Sequence, residues 1–239
     1  GRGEDDASRE GERLMGSLDE ALAALREGRI VLVFDRDDRE GETDMLVSSS
    51  HVTPAHVRTM RRDAGGLICT AIGHEDCTAI GIPFMTDVLS EASLRFPVLP
   101  SLSPHDIPYD ERSSFSITVN HRRTFTGITD DDRALTIKEL AALVMDRRFA
   151  EFGSLFRSPG HVPLLRGAEG LLDVRQGHTE ITLAMAEMAG LPQVTTICEM
   201  MADTGKAVPP SEAQNYAERH RLPFISCDEI VDAWQGERQ

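Results

Sequence analysis

The sequence has few cationic and few aromatic residues for a chain of 239 amino acids. It contains 25 Lys and Arg residues and 40 Asp and Glu residues, which gives a formal charge of -15. Aromatic residues make up only 5% of the chain. A surface of this sign repels nucleic-acid phosphates and anionic lipids. No basic stripe interleaved with aromatic residues offsets that repulsion. The composition therefore argues against a nucleic-acid or membrane partner.

Paired cysteines and long apolar runs are also missing. Cys69, Cys77, Cys198 and Cys227 are widely spaced and form no CxxC pair, which argues against a zinc ribbon or a disulfide scaffold. No apolar run reaches the roughly 18 residues of a membrane-spanning helix, and no signal-peptide pattern is seen. We therefore expect a cytoplasmic protein with reduced thiols.

No linker or internal repeat divides the chain after its first residues. Residues 1–16 are polar, contain glycine and show no hydrophobic period, which predicts a disordered tail. Residues 17–239 are expected to form a single domain. Helical and strand-like segments intermix there without a regular βαβ alternation. We expect an α+β fold of the three-layer sandwich type, with a mixed, twisted sheet covered by helices.

Local signals predict where several elements begin or end. Helix starts are predicted at four N-cap signals: Ser17 with Glu20, Thr53 with Pro54, Thr136 with Glu139, and Ser226 with Glu229. Residues 89–112 contain several prolines and little periodicity, so an irregular surface excursion is expected there.

The most unusual segment is FDRDDREGETDM, residues 34–45, which places six carboxylates and two arginines directly after an apolar run. If Arg39 to Met45 is extended, Glu40, Glu42 and Asp44 share one face of a strand. Three carboxylates on one face repel one another unless a cation or a substrate hydroxyl lies among them, which predicts a hard-metal or polyol site. A solvated acidic turn is the alternative.

A second segment, RQGHTE at residues 175–180, lies at the predicted start of a helix, where exposed N–H groups and the helix dipole favour a phosphate. Arg175 can bind that phosphate through its forked guanidinium, Gly177 allows the backbone to approach, and Thr179 adds a hydroxyl. His178 can supply a nitrogen ligand to a metal shared with the acidic segment. A plain helix N-cap is the alternative reading.

Five segments, in the order DREGETDM, TGITDDDRALT, RSPGHV, RQGHTE and ICEMM, resemble the signature segments of the 3,4-dihydroxy-2-butanone-4-phosphate synthase family in its archaeal-type, single-function form. The similarity runs from about Leu18 to Trp234. It implies a lyase of riboflavin biosynthesis that converts D-ribulose 5-phosphate into 3,4-dihydroxy-2-butanone 4-phosphate and formate. It also implies two Mg²⁺ or Mn²⁺ ions per site and a homodimer with residues of both subunits at each site.

The resemblance also implies roles for individual residues. The implied metal ligands are Glu40 and His178. The implied substrate contacts are Arg39, Asp44, Thr126, Arg175, Gln176, Gly177, His178, Thr179 and Glu199. The implied catalytic residues are His161 and Glu199, with Asp35 and Glu42 as further catalytic positions.

Two other functions remain open from the residues alone. The same acid, histidine and phosphate-binding groups would serve another metal-dependent sugar-phosphate isomerase or aldolase, from which formate release would distinguish this chain. A nucleotide- or RNA-binding module of related fold is the second alternative, and retention of tRNA at moderate salt would favour it.

Overall fold

One sheet of seven strands forms the centre of the described structure. The computed structural model describes residues 17–236, and its strands are β1 (Val31–Phe34), β2 (Thr43–Ser48), β3 (Cys69–Ile72), β4 (Phe115–His121), β5 (Phe156–Arg166), β6 (Val194–Glu199) and β7 (Phe224–Ser226). Their order across the sheet is β4-β5-β3-β6-β2-β1-β7. β1 pairs with β7 and β3 with β5 in parallel, whereas the other neighbouring pairs are antiparallel. The predicted disordered tail, residues 1–16, lies outside the described residues.

Helices cover both faces of this sheet. They are α1 (residues 17–26), α2 (Pro54–Thr59, continued by a π-helical turn at Met60–Ala64), α3 (His74–Ile80), α4 (Met85–Ala92), α5 (Asp130–Met145), α6 (Phe152–Leu155), α7 (His178–Met188), α8 (Pro210–His220) and α9 (Cys227–Gly236). Within residues 17–236, no helix combines the length and the apolarity needed to cross a membrane.

The alternation of side chains along the strands divides the apolar interior into two cores. Val31 and Val33 face a core that includes Ile181 of α7 and residues of α1 and α9. Leu32, between them in sequence, faces the opposite core, which includes Ile137 of α5 and residues of α2 and α8. Since successive strand residues point to opposite faces, β1 contributes to both layers. The expected mixed sheet covered by helices is confirmed.

Two of the predicted helix N-caps, Thr53 and Ser226, agree with the structure, and Thr136 does not. Thr53 and Ser226 lie directly before α2 and α9, and the backbone N–H of Ser226 donates to Glu229 at 2.8 Å. The predicted helix start at Thr136 is wrong. α5 begins at Asp130, because Thr129 caps it by accepting from the Asp132 N–H at 3.1 Å.

Thr136 lies inside α5 instead, where its buried hydroxyl accepts the N–H of His121 at 3.0 Å. The excursion predicted at residues 89–112 is largely irregular. The end of α4 and a 3-10 turn at Leu99–Leu102 are its only described helical parts.

The end of β1, the start of β2 and the end of β6 lie side by side, and together they position the site. The end of β1 pairs with the start of β2, with Val33 opposite Asp44. Asp44 also lies opposite Glu199 at the end of β6. The beginning of α7 reaches the same place, since His178 Nε2 lies 3.2 Å from the Val33 carbonyl oxygen.

Candidate active site

A buried carboxylate shapes the acidic segment after β1. Asp35, which is 1% exposed, accepts the backbone N–H of Glu40 at 2.9 Å through Oδ2 and that of Glu42 at 3.0 Å through Oδ1. Residues 37–40 therefore form turns, and β2 starts only at Thr43. The extended conformation considered for Arg39 to Met45 is therefore found only from Thr43 onward. Even so, Glu40, Glu42 and Asp44 all line one pocket of about 540 Å³.

His178 lies among these carboxylates. Its Nδ1 is 3.4 Å from Glu40 Oε2, and its Nε2 is 3.2 Å from the Val33 carbonyl oxygen and 3.7 Å from Asp44 Oδ1. A backbone carbonyl can only accept, so Nε2 carries a hydrogen and donates to Val33. This contact orients Nδ1 toward Glu40, the arrangement found when the second ring nitrogen of a histidine ligates a metal.

The charges of the cluster are strongly coupled. Burial raises the pKa of Asp44 to about 8, and the charges of Glu199, Glu40 and Glu42 raise it further against the opposing effect of His178. Burial lowers the pKa of His178, but the charge of Asp44, the hydrogen bond to Glu40 and the charges of Asp35 and Glu40 outweigh this effect and raise it to about 9. Without a cation, the cluster therefore holds protons that a bound metal would replace.

The pKa values of Glu40 and Glu42 are shifted in opposite directions. Burial raises the pKa of Glu42, and the neighbouring charges of Glu40 and Glu199 raise it further. For Glu40, burial also acts upward, but the hydrogen bond and charge of His178 and the charge of Arg39 bring its pKa below the ordinary value. Glu40 is thus the more readily ionised of the two, which suits a metal ligand. Glu42 is better suited to exchanging a proton.

The donor set fits a hard divalent cation. Asp35, Glu40 and His178 each present one ligand atom, and these atoms lie within 4.8 Å of one another. Carboxylate oxygens with one imidazole suit Mg²⁺ or Mn²⁺. Among the described residues, Asp44 Oδ1 is buried without a hydrogen-bond partner, which adds an oxygen in need of a donor or cation. Both oxygens of Asp35 already accept N–H groups, so Glu40 and His178 are the better available ligands.

Two guanidinium groups lie against the N-terminus of α7. Gly177 is its N-cap, and a Cβ atom there would lie 2.5 Å from Arg175 Nη1 and 2.6 Å from Arg39 Nη2. Only glycine permits such an approach, because any side chain would displace both groups. Thr179 of the first helical turn also lines the pocket. The paired cations and the helix end together form an anion cradle beside the carboxylates.

Asp110 and Glu180 complete this cradle, and the sequence analysis assigned neither of them a role. Glu180 is fully buried, forms an ion pair with Arg175 and accepts the N–H of Ala168 at 3.1 Å. Asp110 contacts both Arg39 and Arg175. Glu180 lies within the RQGHTE segment, so its ion pair with Arg175 could have been predicted from the sequence. Asp110 lies 65 residues from Arg175 and 71 from Arg39, and no local pattern indicates such contacts.

The structure brings most, but not all, of the predicted site residues together. The pocket is lined by Arg39, Glu40, Glu42, Asp44, Arg175, His178, Thr179 and Glu199. Asp35 does not line the pocket but fixes the acidic turn through two hydrogen bonds, and Gly177 lies against the guanidinium groups of Arg39 and Arg175. Gln176 lines an adjoining groove that shares Arg39, Asp110 and Arg175 with the pocket.

His161 and Thr126 do not line this pocket. They lie together beside β4, where Asn120 accepts the His161 N–H at 2.8 Å and its side-chain amide lies 3.5 Å from the Thr126 carbonyl oxygen. Both residues are exposed. Their predicted roles would therefore require a second molecule to bring them to a pocket.

The fold and the pocket define an enzyme for a small, anionic substrate, with an acid–histidine cluster beside a guanidinium cradle. The sequence profile of 3,4-dihydroxy-2-butanone 4-phosphate synthase matches residues 19–233. The chain belongs to this family of lyases, which confirms the resemblance seen in its five segments.

Individual relatives agree with this assignment. The chain is 58% identical to the 3,4-dihydroxy-2-butanone 4-phosphate synthase of Methanothermobacter thermautotrophicus over 92% of its own length and 97% of that protein. It is 48% identical to the Archaeoglobus fulgidus protein of the same name, over 93% and 95%.

Solved structures show the same fold. The Candida albicans synthase superposes with a TM-score of 0.73 at 26% identity, covering 90% of this chain and 96% of that one. A synthase structure in complex with two magnesium ions gives a TM-score of 0.72 at 27% identity, covering 92% and 96%.

Proposed function

We propose that this protein converts D-ribulose 5-phosphate into 3,4-dihydroxy-2-butanone 4-phosphate and formate. The observation that carries this proposal is the position of the Glu40–His178 pair directly beside the cradle of Arg39, Arg175 and Gly177. A substrate with a phosphate at one end and a polyol at the other would meet both halves of the site. The curated relatives carry the name of this activity.

The phosphate would lie at the N-terminus of α7, held by Arg39, Arg175 and the hydroxyl of Thr179, with Gln176 at its edge. The sugar would then extend toward Glu42, Asp44 and Glu199. This orientation follows from charge, since the carboxylates would repel the phosphate and accept hydrogen bonds from sugar hydroxyls.

Glu40 and His178 would hold the divalent cations, Mg²⁺ or Mn²⁺, two per site as in the magnesium-bound relative. Such ions, when bound, stabilise negative charge on sugar oxygens and polarise carbonyl groups. Asp35 would fix the backbone of the acidic turn and so position Glu40.

The chain's own acids would move the protons of the reaction. Enolisation, loss of the C1 hydroxyl as water, the skeletal shift and release of C4 as formate each require a positioned acid or base. Glu42, whose pKa is raised by burial and by the charges of Glu40 and Glu199, is the pocket carboxylate suited to taking up and returning a proton. Glu199 is oriented by the N–H of Leu67, which donates to Oε2 at 2.8 Å.

We further propose a homodimer in which His161 and Thr126 of the partner subunit complete each pocket. The two residues lie together, are exposed and do not line their own pocket. Phe125 beside Thr126 is 92% exposed and Ile128 is 49% exposed. Neighbouring exposed apolar side chains are typical of a surface that another protein covers.

Residues 17–239 would form one catalytic domain, since both cores pack on the same sheet. A cytoplasmic location is supported by the four buried cysteines, which are all unpaired.

The direct test is to incubate the purified protein with ribulose 5-phosphate and Mg²⁺ and to measure formate. We expect formate and 3,4-dihydroxy-2-butanone 4-phosphate in equal amounts. An isomerase would consume the substrate without formate, and an aldolase would release a shorter aldehyde. Absence of formate above a control without enzyme would exclude the proposed reaction.

Replacing Arg175 with alanine should raise KM for ribulose 5-phosphate more than it lowers kcat. The phosphate is remote from the reacting carbons and is held similarly in the ground and transition states. Charge-assisted hydrogen bonds contribute about 1.5–3 kcal/mol, so KM should rise about 10- to 100-fold. Steady-state kinetics and a melting curve should be measured together, because the substitution leaves Glu180 buried without its partner.

Arg58→Ala is the matched control, since it removes the same charge from an exposed position on α2. A KM for Arg175→Ala equal to that of this control would show that the phosphate binds elsewhere.

A further inference from the structure

Asp110 is bound by both guanidinium groups of the cradle. Its Oδ2 accepts from Arg39 Nη2 at 2.6 Å and from Arg175 Nε at 2.7 Å, and it forms an ion pair with Arg175 Nη2 at 2.5 Å. Its other oxygen, Oδ1, accepts the backbone N–H of Glu111 at 2.8 Å. One carboxylate oxygen thus lies at the point where the two cations converge.

These contacts occupy the donors that a phosphate needs. Nε and Nη2 form the edge of Arg175 that can bind an anion through two parallel hydrogen bonds. Nε donates to Asp110, and Nη2 forms an ion pair with the same carboxylate oxygen. The remaining nitrogen, Nη1, donates to the buried Glu180. Arg39 directs Nη2 to Asp110 and Nη1 to Glu40 at 3.0 Å. A phosphate bound through the forked edge of Arg175 has to displace Asp110.

Asp110 is held in a segment that can release it. Between the 3-10 turn at Leu99–Leu102 and β4 the chain has no described helix or strand. The contacts of Asp110 outside this segment are those with the two arginines, whereas Glu180 is anchored within α7 and fully buried. Asp110 is therefore the carboxylate that can leave, and Glu180 is the one that stays.

We propose that Asp110 is a specificity-determining residue that fills the anion position between Arg39 and Arg175 until a phosphate dianion displaces it. The location of the phosphate rests on the proposed function, but the displacement requires only an anion. A neutral sugar cannot compete with a carboxylate for two guanidinium groups. A phosphate brings up to twice the charge of Asp110 and three acceptor oxygens, so it can. Asp110 thus favours phosphorylated over unphosphorylated pentuloses.

The test measures binding of inorganic phosphate to Asp110→Asn by calorimetry at low ionic strength. Asparagine keeps the size of the side chain and its acceptor oxygen but removes the charge. When a site is occupied by its own carboxylate, the apparent dissociation constant of a ligand equals the intrinsic one divided by the fraction of time the site is free. The dissociation constant for phosphate should therefore fall about 3- to 10-fold in the variant.

Asp106→Asn is the matched control. It removes one negative charge from the same segment. Asp106 is exposed and forms no hydrogen bond or ion pair within the described residues. Any general gain from the lower net charge appears in both variants and can be subtracted. Weaker binding by Asp110→Asn, binding equal to that of Asp106→Asn, or no binding by any of the proteins would overturn the proposal. Each of the first two would indicate that Asp110 merely orients the arginines or has no role.

A second measurement uses the wild-type protein and does not depend on the variant folding. Hydrogen exchange with and without inorganic phosphate should become faster at residues 109–112, where Asp110 is released, and slower at residues 175–179. Slower exchange in both segments would contradict displacement. The formate assay separates this inference from the proposed function: tighter phosphate binding by Asp110→Asn in a protein that makes no formate would retain the displacement and exclude the reaction.

Discussion

Mixed dimers of His161→Ala and Glu199→Ala subunits should produce formate, although neither variant does so alone. Loss of a proton-transfer group reduces turnover by about 10²- to 10⁴-fold, so each homodimer should be nearly inactive. Glu199 lines the pocket of its own chain and His161 does not. In a mixed dimer, one site combines an intact pocket with an intact His161 from the partner subunit. Random mixing gives half mixed dimers with one intact site each, so about a quarter of wild-type activity is expected.

The mixing experiment has a matched control within the same pocket. Glu199→Ala subunits mixed with Glu40→Gln subunits should produce no more formate than Glu40→Gln subunits alone, because both substitutions affect the pocket of their own chain and no intact pocket is formed. Subunit exchange should be verified by mass spectrometry of differently tagged chains. Wild-type activity of His161→Ala alone would exclude its catalytic role. A lack of recovery despite verified exchange would contradict the shared site.

Replacing Glu40 with glutamine should raise the Mg²⁺ concentration required for half-maximal activity by more than about tenfold, since even residues that only support metal ligands change metal affinity by about 10- to 100-fold. Chelator should abolish wild-type activity, and Mg²⁺ should restore it, because magnesium sites with few protein ligands keep several waters and exchange readily. The measurement is a formate assay across a Mg²⁺ titration.

Asp38→Asn is the control that separates a metal site from a solvated acidic turn. Asp38 belongs to the same segment, and its side chain is 83% exposed. A solvated turn predicts the same small effect for both substitutions, whereas a metal site predicts a large effect for Glu40→Gln alone. An unchanged Mg²⁺ titration for Glu40→Gln would show that Glu40 is not a ligand.

Glu40→Gln also has a defined effect on thermal stability in chelator. The pKa of Glu40 is lowered in the folded protein, so its ionised form stabilises the fold above the ordinary pKa, and this contribution is lost as the pH falls through the lowered value. Glu40→Gln should therefore melt somewhat lower than wild type near neutral pH. Asp44 behaves in the opposite way, because its pKa is raised to about 8 and its protonated form is favoured. Its contribution should decline as the pH rises from about 4 to 8.

Features that depend on neighbouring residues were predictable from the sequence. The apolar run before the acidic segment indicated β1, and the RQGHTE segment indicated the start of α7 with its cradle. The turn conformation of residues 37–40 was missed, because it depends on Asp35 accepting two N–H groups, which competes with an extended strand. The start of α5 was missed because Thr129 and Thr136 are both acceptable caps, and the pairing of Thr136 with His121 of β4 decides between them.

Contacts across long stretches of sequence could not be predicted. Asp110 reaches the two arginines from a proline-rich excursion, and nothing in its own segment distinguishes it from Asp106 or Glu111. The separation of His161 from the pocket also required the three-dimensional structure, because Leu165 of β5 lines the pocket whereas His161 lies four residues earlier on the same strand and does not.

The site draws on two pairs of chain neighbours, and each pair contributes one residue to either end of the pocket. Arg39 of the cradle precedes Glu40 of the acid cluster, and Gly177 of the cradle precedes His178. Consecutive Cα atoms are about 3.8 Å apart whatever the side chains do. The two ends of the pocket are therefore linked twice through the backbone. A backbone shift at either pair would displace both ends of the pocket together.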